Sequence, residues 1–296
     1  MKADLHIHSC YSNDGELEIG DILDLCAGKG VDIFSITDHN GVGGAREAVK
    51  LSAEKQDIVF IPGIEIDCNY HGTDLHLLGY QIDPESDDFI SLENAVRLKY
   101  MDAVPQMIRK LDHLGIPVDM DELMQKSGGD PPSGELIGEL LFEKDGLDSN
   151  PLLKPYFPGG KRSDMPLINF YLDFFAQGKP AYVKIEHLEF RDAIALVRNN
   201  GGIPIVAHPG LNLEGREDVV HELLDQGAAG LEVFNNYHSV KQLDYFSRLI
   251  IKRGALMSCG SDFHGKNKAL ISIGQYKSAG SHGEYLEKSI RTILNH

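Results

Sequence analysis

The 296-residue chain has no run of 18 apolar residues, and no basic and apolar leader precedes its first strand-like stretch. The first absence argues against a transmembrane helix and the second against export, so a soluble, cytoplasmic protein with no membrane partner is expected. Cysteine is scarce. Cys10, Cys26, Cys68 and Cys259 show neither C-x-x-C spacing nor the density of a disulfide scaffold, so reduced thiols are expected, with Cys10 and Cys259 read as buried small hydrophobes. Basic residues are also few: 28 Lys and Arg face 45 Asp and Glu, a formal charge of -17. That balance speaks against a protein that coats long nucleic acid, but not against anionic substrates, because bound divalent cations reverse the local sign at a site. Gly41-Val42-Gly43-Gly44 has no Gly-Lys-Ser/Thr or G-x-G-x-x-G after it and reads as a turn rather than a phosphate loop. A G-x-S-x-G elbow, an internal repeat and a low-complexity tract are all lacking.

What is present begins at the first strand. Residues i and i+2 of a strand share a face, so His6 and His8 set two imidazoles side by side, close enough to share one metal ion. Similar constructions recur in Ile36-Thr37-Asp38-His39, Ile64-Glu65, Leu75-His76-Leu77-Leu78, Val206-Ala207-His208-Pro209-Gly210 and Gly260-Ser261-Asp262-Phe263-His264-Gly265. Each places a His, Asp or Glu at the end of an apolar run, where an α/β barrel keeps its active site.

The strand and helix patterns alternate from the start. Helices are expected at Ile19 to Lys29 and Ala45 to Glu54, and strands at Val31 to Thr37, Ile58 to Ile66 and Thr73 to Tyr80, with parallel strands joined by crossovers. Beyond Asp83 the pattern becomes helical, with a long helix from Phe89 to Leu114 stopped by Gly115-Ile116-Pro117 and shorter ones at Asp119 to Lys126 and Leu136 to Glu143. Residues 101–176 read as an inserted, mostly helical subdomain lying as a lid over a barrel made of 1–100 and 177–296. Barrel rhythm returns at Lys179-Pro180-Ala181-Tyr182-Val183, continues through strands at Ile203 to Ala207, Gly230 to Phe234 and Ala255 to Ser258, and closes with a helix from Gly283 to Leu294.

Gathered from separate strand ends, the candidate ligands are His6, His8, Asp14, His39, Glu65, His76, His208, Asp262 and His264. Imidazole and carboxylate donors without cysteine suit zinc, manganese or iron, and their dispersal around a rim points to catalysis rather than a local structural site. Asp4-Leu5-His6-Ile7-His8-Ser9, Ile36-Thr37-Asp38-His39-Asn40, Gly63-Ile64-Glu65-Ile66, Asp74-Leu75-His76-Leu77-Leu78-Gly79-Tyr80, Ala207-His208-Pro209-Gly210 and Gly260-Ser261-Asp262-Phe263-His264-Gly265 together resemble the motifs of the polymerase and histidinol phosphatase (PHP) family, in that family's order.

The resemblance implies a distorted (β/α)7 barrel that hydrolyses phosphate esters with two or three divalent metal ions. Carried over, His6, His8, Glu65 and Asp262 hold one metal, Glu65 bridges to a second held with His76 and His208, and Asp14, His39 and His264 hold the third, making a trinuclear site. One departure concerns Asp14. The family's acidic ligand lies five residues after the second histidine, where this chain has Asn13, so Asp14 is expected to reach the site through a longer loop. A bridging water made acidic by the metals attacks phosphorus, and His208 or His238 assists the leaving group as a catalytic residue. For His238 a helix-capping role is equally open.

The arrangement of insert and motifs is most similar to the subgroup that dephosphorylates nucleoside 3',5'-bisphosphates and short RNA ends. That subgroup carries an Arg-Pro-His segment in the insert where this chain has Pro131-Pro132-Ser133-Gly134-Glu135-Leu136-Ile137, so the chemistry transfers better than the substrate. Lys161, Arg162, Lys179 and Lys184 are candidates for gripping a second phosphate or plain surface charges. The expected partner is a small phosphorylated metabolite, a nucleotide or sugar phosphate. The alternatives are a cyclic phosphodiesterase that then removes the monoester, and a non-catalytic PHP scaffold or sensor.

Overall fold

The computed structural model describes residues 1–53, 58–278 and 282–296. Its sheet is built from β1 (Ala3–Ile7), β2 (Ile33–Ile36), β3 (Val59–Tyr70), β4 (Thr73–Tyr80), β5 (Leu188–Glu189), β6 (Ile203–Val206), β7 (Gly230–Phe234) and β8 (Leu256–Cys259). The order is β1-β2-β3-β4-β6-β7-β8, with β5 beside β3. Every residue of β1, β2, β6 and β7 is buried, as expected of strands covered on both faces.

β1, β2 and β3 are parallel, and so are β6, β7 and β8. The strand β4 overturns the all-parallel expectation, running antiparallel to both β3 and β6. The reason is local. His71 and Gly72 join β3 to β4 with φ of 50° and 82°, and two consecutive positive values make the tight turn that reverses a strand rather than crossing over.

The sheet's two ends meet at one rim. Ile7 pairs in parallel with Phe263, the His8 N–H donates to the Phe263 carbonyl at 2.9 Å and the Asp262 N–H to the His6 carbonyl at 2.9 Å. Helices Ile19–Gly28, Gly43–Ser52, Phe190–Asn199, Val220–Asp225, Val240–Arg253 and Gly283–Leu294 follow the strands. Glu54, expected to end the second of these, lies outside the described residues. Ser239 caps the helix Val240–Arg253 in a capping box with Gln242, and Gly254 ends it with φ of 63°.

The helix Asp87–His113 serves two cores. Its first half sends Phe89, Leu92 and Val96 into the core that includes Leu5, Ile64, Leu77 and Val206. Its second half sends Ala103, Val104, Met107 and Leu111 into a separate core with Ile137, Leu141, Tyr156, Phe170, Phe174 and Phe175. The helices Met120–Lys126, Gly134–Phe142 and Pro166–Phe174 surround that second core. Lys179 to Val183 form no strand: Tyr182 N–H bonds back to the Lys179 carbonyl in a turn, and only Leu188–Glu189 joins the sheet. Among the described residues, no helix is long and apolar enough to cross a membrane.

Candidate metal centre

The first anchor sits where β1 leaves the sheet. His6 Nε2 and His8 Nε2 lie 3.1 Å apart, and each is 3.0 Å from Glu65 Oε2. Asp262 Oδ1 completes the group at 3.3 Å from His6 and 3.4 Å from His8. These four come from β1 and its exit, from β3 and from the turn after β8, and the Ile7–Phe263 pairing is what brings the last to the first.

The other oxygen of Glu65 faces a second group. Oε1 is 3.0 Å from His76 Nδ1 and 3.0 Å from His208 Nε2. A third group joins Asp14 with His264 at 3.1 Å and His39 at 3.6 Å, with His8 alongside. A fourth, overlapping one combines His39, Asp67 and His76. Within each group the ligand atoms lie within 4.8 Å of one another.

The donor chemistry fits divalent ions, and so does what the side chains leave undone. His39 Nδ1 and Asp67 Oδ1, 3.0 Å from one another, and His264 Nε2, 3.1 Å from Asp14 Oδ2, are buried and face these ligand atoms without an aligned hydrogen bond, an arrangement that a bound ion would satisfy. Around the groups, oxygens hold the rear nitrogens of three rings and leave Nε2 to the centre. His6 Nδ1 meets Glu232 at 3.0 Å, His208 Nδ1 meets Asn212 Oδ1 at 2.7 Å and His264 Nδ1 meets the Asp262 carbonyl at 3.0 Å. The other carboxylate oxygen of Glu232 accepts the His208 N–H at 2.8 Å, so one buried acid braces two histidines from different strands. Asp38 accepts from Ser9 N–H and Oγ at 2.6 and 2.8 Å, fixing the turn after His8. Lys268 and Tyr237 hold Asp262 Oδ2, the lysine at 2.6 Å.

Two of these residues carry backbone strain. His208 has φ of 22° and Asp262 of 58°, values that L side chains rarely adopt and that accumulate at functional sites.

Burial works against charge throughout, and neighbours decide the outcome. It disfavours the Glu65 carboxylate, but the imidazoles of His6, His39 and His76 outweigh it and hold Glu65 well below the usual carboxylate range. Asp262 is likewise held low against burial by Lys268 first and then His6. For His264, burial, then the charges of His8 and Lys268, push the ring down to about 4, which leaves a neutral imidazole at neutral pH. Burial, then the negative charge of Asp14, raise Glu135 to about 7.

All nine residues expected as ligands, His6, His8, Asp14, His39, Glu65, His76, His208, Asp262 and His264, fall into these groups. Asn13 does not, and Asp14 reaches His264 from the position after it. His238 requires correction as a catalytic candidate. It is fully buried, its Nε2 accepts from the Gly210 N–H at 2.9 Å and its Nδ1 lies 2.8 Å from the Val233 carbonyl, so it braces the turn after His208 instead of facing the centre. Burial pushes it down to about 4. Cys259 is buried as expected, whereas Cys10 is exposed. Arg162 is engaged by Asp173 and Lys184 by Glu186, and Lys161 and Lys179 are exposed.

Two acids were not anticipated. Asp67 lies 3.0 Å from His39 Nδ1 and 3.5 Å from His76 Nε2, and its other oxygen accepts from Asn40 at 2.8 Å and from Tyr100 at 3.1 Å. Its signal was available, since Glu65 and Asp67 are i and i+2 in one strand, as His6 and His8 are. Glu232 is the lone acid in the apolar stretch Leu231 to Phe234, a weaker signal that spacing does not mark.

The model of the PHP domain matches residues 4–127. A 3',5'-nucleoside bisphosphate phosphatase of Chromobacterium violaceum is 28% identical over 92% of this chain and 90% of its own. A 5'-3' exoribonuclease of Haemophilus influenzae is 28% identical over 91% and 95%. A phosphoribosyl 1,2-cyclic phosphate 1,2-diphosphodiesterase of Eggerthella lenta is 24% identical over 93% and 98%. The solved structure of a candidate metal-dependent phosphoesterase from Bifidobacterium adolescentis superposes with a TM-score of 0.76 at 20% identity, covering 99% of this chain and 95% of that one, which shows a shared fold. By the match over residues 4–127, which takes in β1 to β4 and with them His6, His8, Asp14, His39, Glu65 and His76, this chain carries a PHP domain.

Proposed function

We propose that this protein is a metal-dependent phosphoesterase that hydrolyses a small phosphorylated metabolite, a nucleotide or a sugar phosphate, at a site of two or three divalent ions. The observation that carries the reading is Glu65, whose two oxygens each lie 3.0 Å from imidazoles of a different group, His6 and His8 on one side and His76 and His208 on the other. Each oxygen of that carboxylate would hold an ion together with its own pair of imidazoles. Divalent ions bound there lower the pKa of water and offset charge on phosphoryl oxygens.

The chain's own residues supply the rest. Glu232 and Asn212 orient His208, Lys268 and Tyr237 keep Asp262 ionised and aimed, and the neutral His264 offers a lone pair. Of the two histidines weighed as aids to the leaving group, only His208 faces the centre. Residues 101–176, in this reading, are the lid over the rim.

A second reading, hydrolysis of a cyclic phosphate followed by loss of the monoester, is supported by the similarity to the Eggerthella lenta diphosphodiesterase over 98% of that protein. The test of both is phosphate release by manganese-reconstituted protein from adenosine 3',5'-bisphosphate, a cyclic sugar phosphate, histidinol phosphate and a 5'-phosphorylated RNA oligomer. The wild type releases phosphate and His208→Ala does not. Retained turnover in His208→Ala would sink the metal hydrolase reading.

A further inference from the structure

Asp67 shares a group with His39 and His76 but belongs to none of the three ion sets built on Glu65, Asp262 and Asp14. Backbone pairing puts it there. Asp67 stands directly opposite His76 in the β3–β4 ladder, so the two side chains share a face. His39 bridges to Glu65, which lies two residues before Asp67 and on the same side of β3.

The carboxylate is locked from behind. Asn40 donates from Nδ2 to Asp67 Oδ2 at 2.8 Å and accepts the Asp67 N–H on its Oδ1 at 2.9 Å, and it holds this clasp with φ of 54°, a value that asparagine tolerates better than most residues. The Tyr100 hydroxyl donates to the same Oδ2 at 3.1 Å from the helix Asp87–His113, where its ring packs against both cores. Oδ1 is thereby left to two rings, 3.0 Å from His39 Nδ1 and 3.5 Å from His76 Nε2.

Each ring turns its other nitrogen to the centre. His39 Nε2 lies 3.6 Å from both Asp14 Oδ2 and Glu65 Oε2, and His76 Nδ1 lies 3.0 Å from Glu65 Oε1. A neutral imidazole carries one N–H, and the nitrogen without it is the one that binds a metal. A carboxylate has no proton to give, so one placed behind the ring draws the N–H to its own side and leaves the lone pair facing the ions.

Resting on the metal centre of the phosphoesterase reading above, we propose that Asp67 is a positioning residue that fixes the tautomer of His39, and more loosely that of His76, and that Tyr100 ties this control to the helical segment. His39 Nδ1 and Asp67 Oδ1 stand close but unaligned, and a turn of the ring rather than a shift of the clasped carboxylate completes the bond.

The experiment uses the full chain and two readouts: metal affinity by competition with a chelating dye, per folded molecule, and the position of the His39 ring proton by nitrogen NMR of the zinc-loaded protein. In Asp67→Asn the donors of Asn40 and Tyr100 keep the amide oxygen at the Oδ2 place, so the amide nitrogen faces His39 Nδ1 and forces the ring proton onto Nε2. Affinity for the ions that His39 and His76 hold falls about 10–100-fold, while the number of ions bound at saturation is unchanged. Asp67→Ala leaves the tautomer free and falls less, and Tyr100→Phe, which removes one donor to Oδ2, falls by only about a few-fold. A role in shape alone predicts the reverse order, since Asp67→Asn keeps the outline of the side chain and Asp67→Ala does not. Affinity in Asp67→Asn that equals the wild type or exceeds Asp67→Ala overturns the proposal, as does loss of one ion at saturation in Asp67→Ala, which would make Asp67 a ligand. If neither Asp67 variant folds, the wild-type ring decides: a proton on Nδ1 supports the proposal and one on Nε2 overturns it. A wild type that binds no divalent ion removes the metal centre itself, and metal binding without hydrolysis of any ester removes the phosphoesterase reading alone, both distinguishable from a reversed order of variants.

Discussion

The sheet buries Asp4, His6, His8, Asp38, Glu65, Asp67, His208, Glu232, Asp262 and His264, while the helical segment between Ala103 and Ile185 buries a cluster of aliphatic and aromatic residues with only Ser133, Glu135 and Asn169 as buried polar company. The two regions share the helix Asp87–His113 and differ in what holds them. Phe142, Tyr156, Phe170, Phe174 and Phe175 pack ring against ring, with Phe170 and Phe174 centroids 4.7 Å apart, so the segment gains stability from apolar burial and aromatic contact. In the sheet, a charged network spends stability, because each buried group must be desolvated and then satisfied by another. Stability and chemistry are thus concentrated in different parts of one chain.

Breaking the aromatic core should produce the largest effect of the substitutions that sharpen this contrast. Phe170→Ala removes a fully buried ring and should cost about 3–5 kcal/mol of unfolding free energy, read by chemical denaturation, while manganese uptake per folded molecule stays at the wild-type level. Loss of metal uptake would show that the centre depends on the helical core. The converse change is Glu232→Gln, which keeps the shape of the sheet and weakens the support behind His6 and His208. Metal affinity should fall about 10–100-fold, the usual consequence of losing a group behind a ligand, as followed by competition with a chelating dye. The smallest effect belongs to neither core. Ser239→Ala removes the cap of the helix Val240–Arg253 and should cost about 1 kcal/mol in thermal or urea unfolding, with metal affinity unaltered.

The legible parts of the site were those that a short window contains. His6 and His8 share a strand face by alternation alone, and each of His39, Glu65, His76, His208 and Asp262 stands in or just beyond an apolar run. Asp67 obeys the same alternation relative to Glu65 but does not stand at a strand end, since β3 continues to Tyr70 and carries both acids within it. His238 failed for the opposite reason. It follows a strand as the true site residues do, but its ring turns back under Gly210, and no spacing rule reports the direction of a side chain beyond a strand. The direction of β4 depended on two positive φ values at His71 and Gly72, of which only the glycine is a recognisable signal.

Residue type and local period determined the ligand chemistry, the alternation of strands and helices and the order of the motifs, because these are properties of neighbours along the chain. Which nitrogen of each ring faces the centre and the burial of Glu232 behind two histidines were decided by tertiary structure. The pairing of Ile7 with Phe263 shows why: it joins β1 to the turn after β8 across nearly the whole chain, and only this long-range contact places Asp262 against His6 and His8.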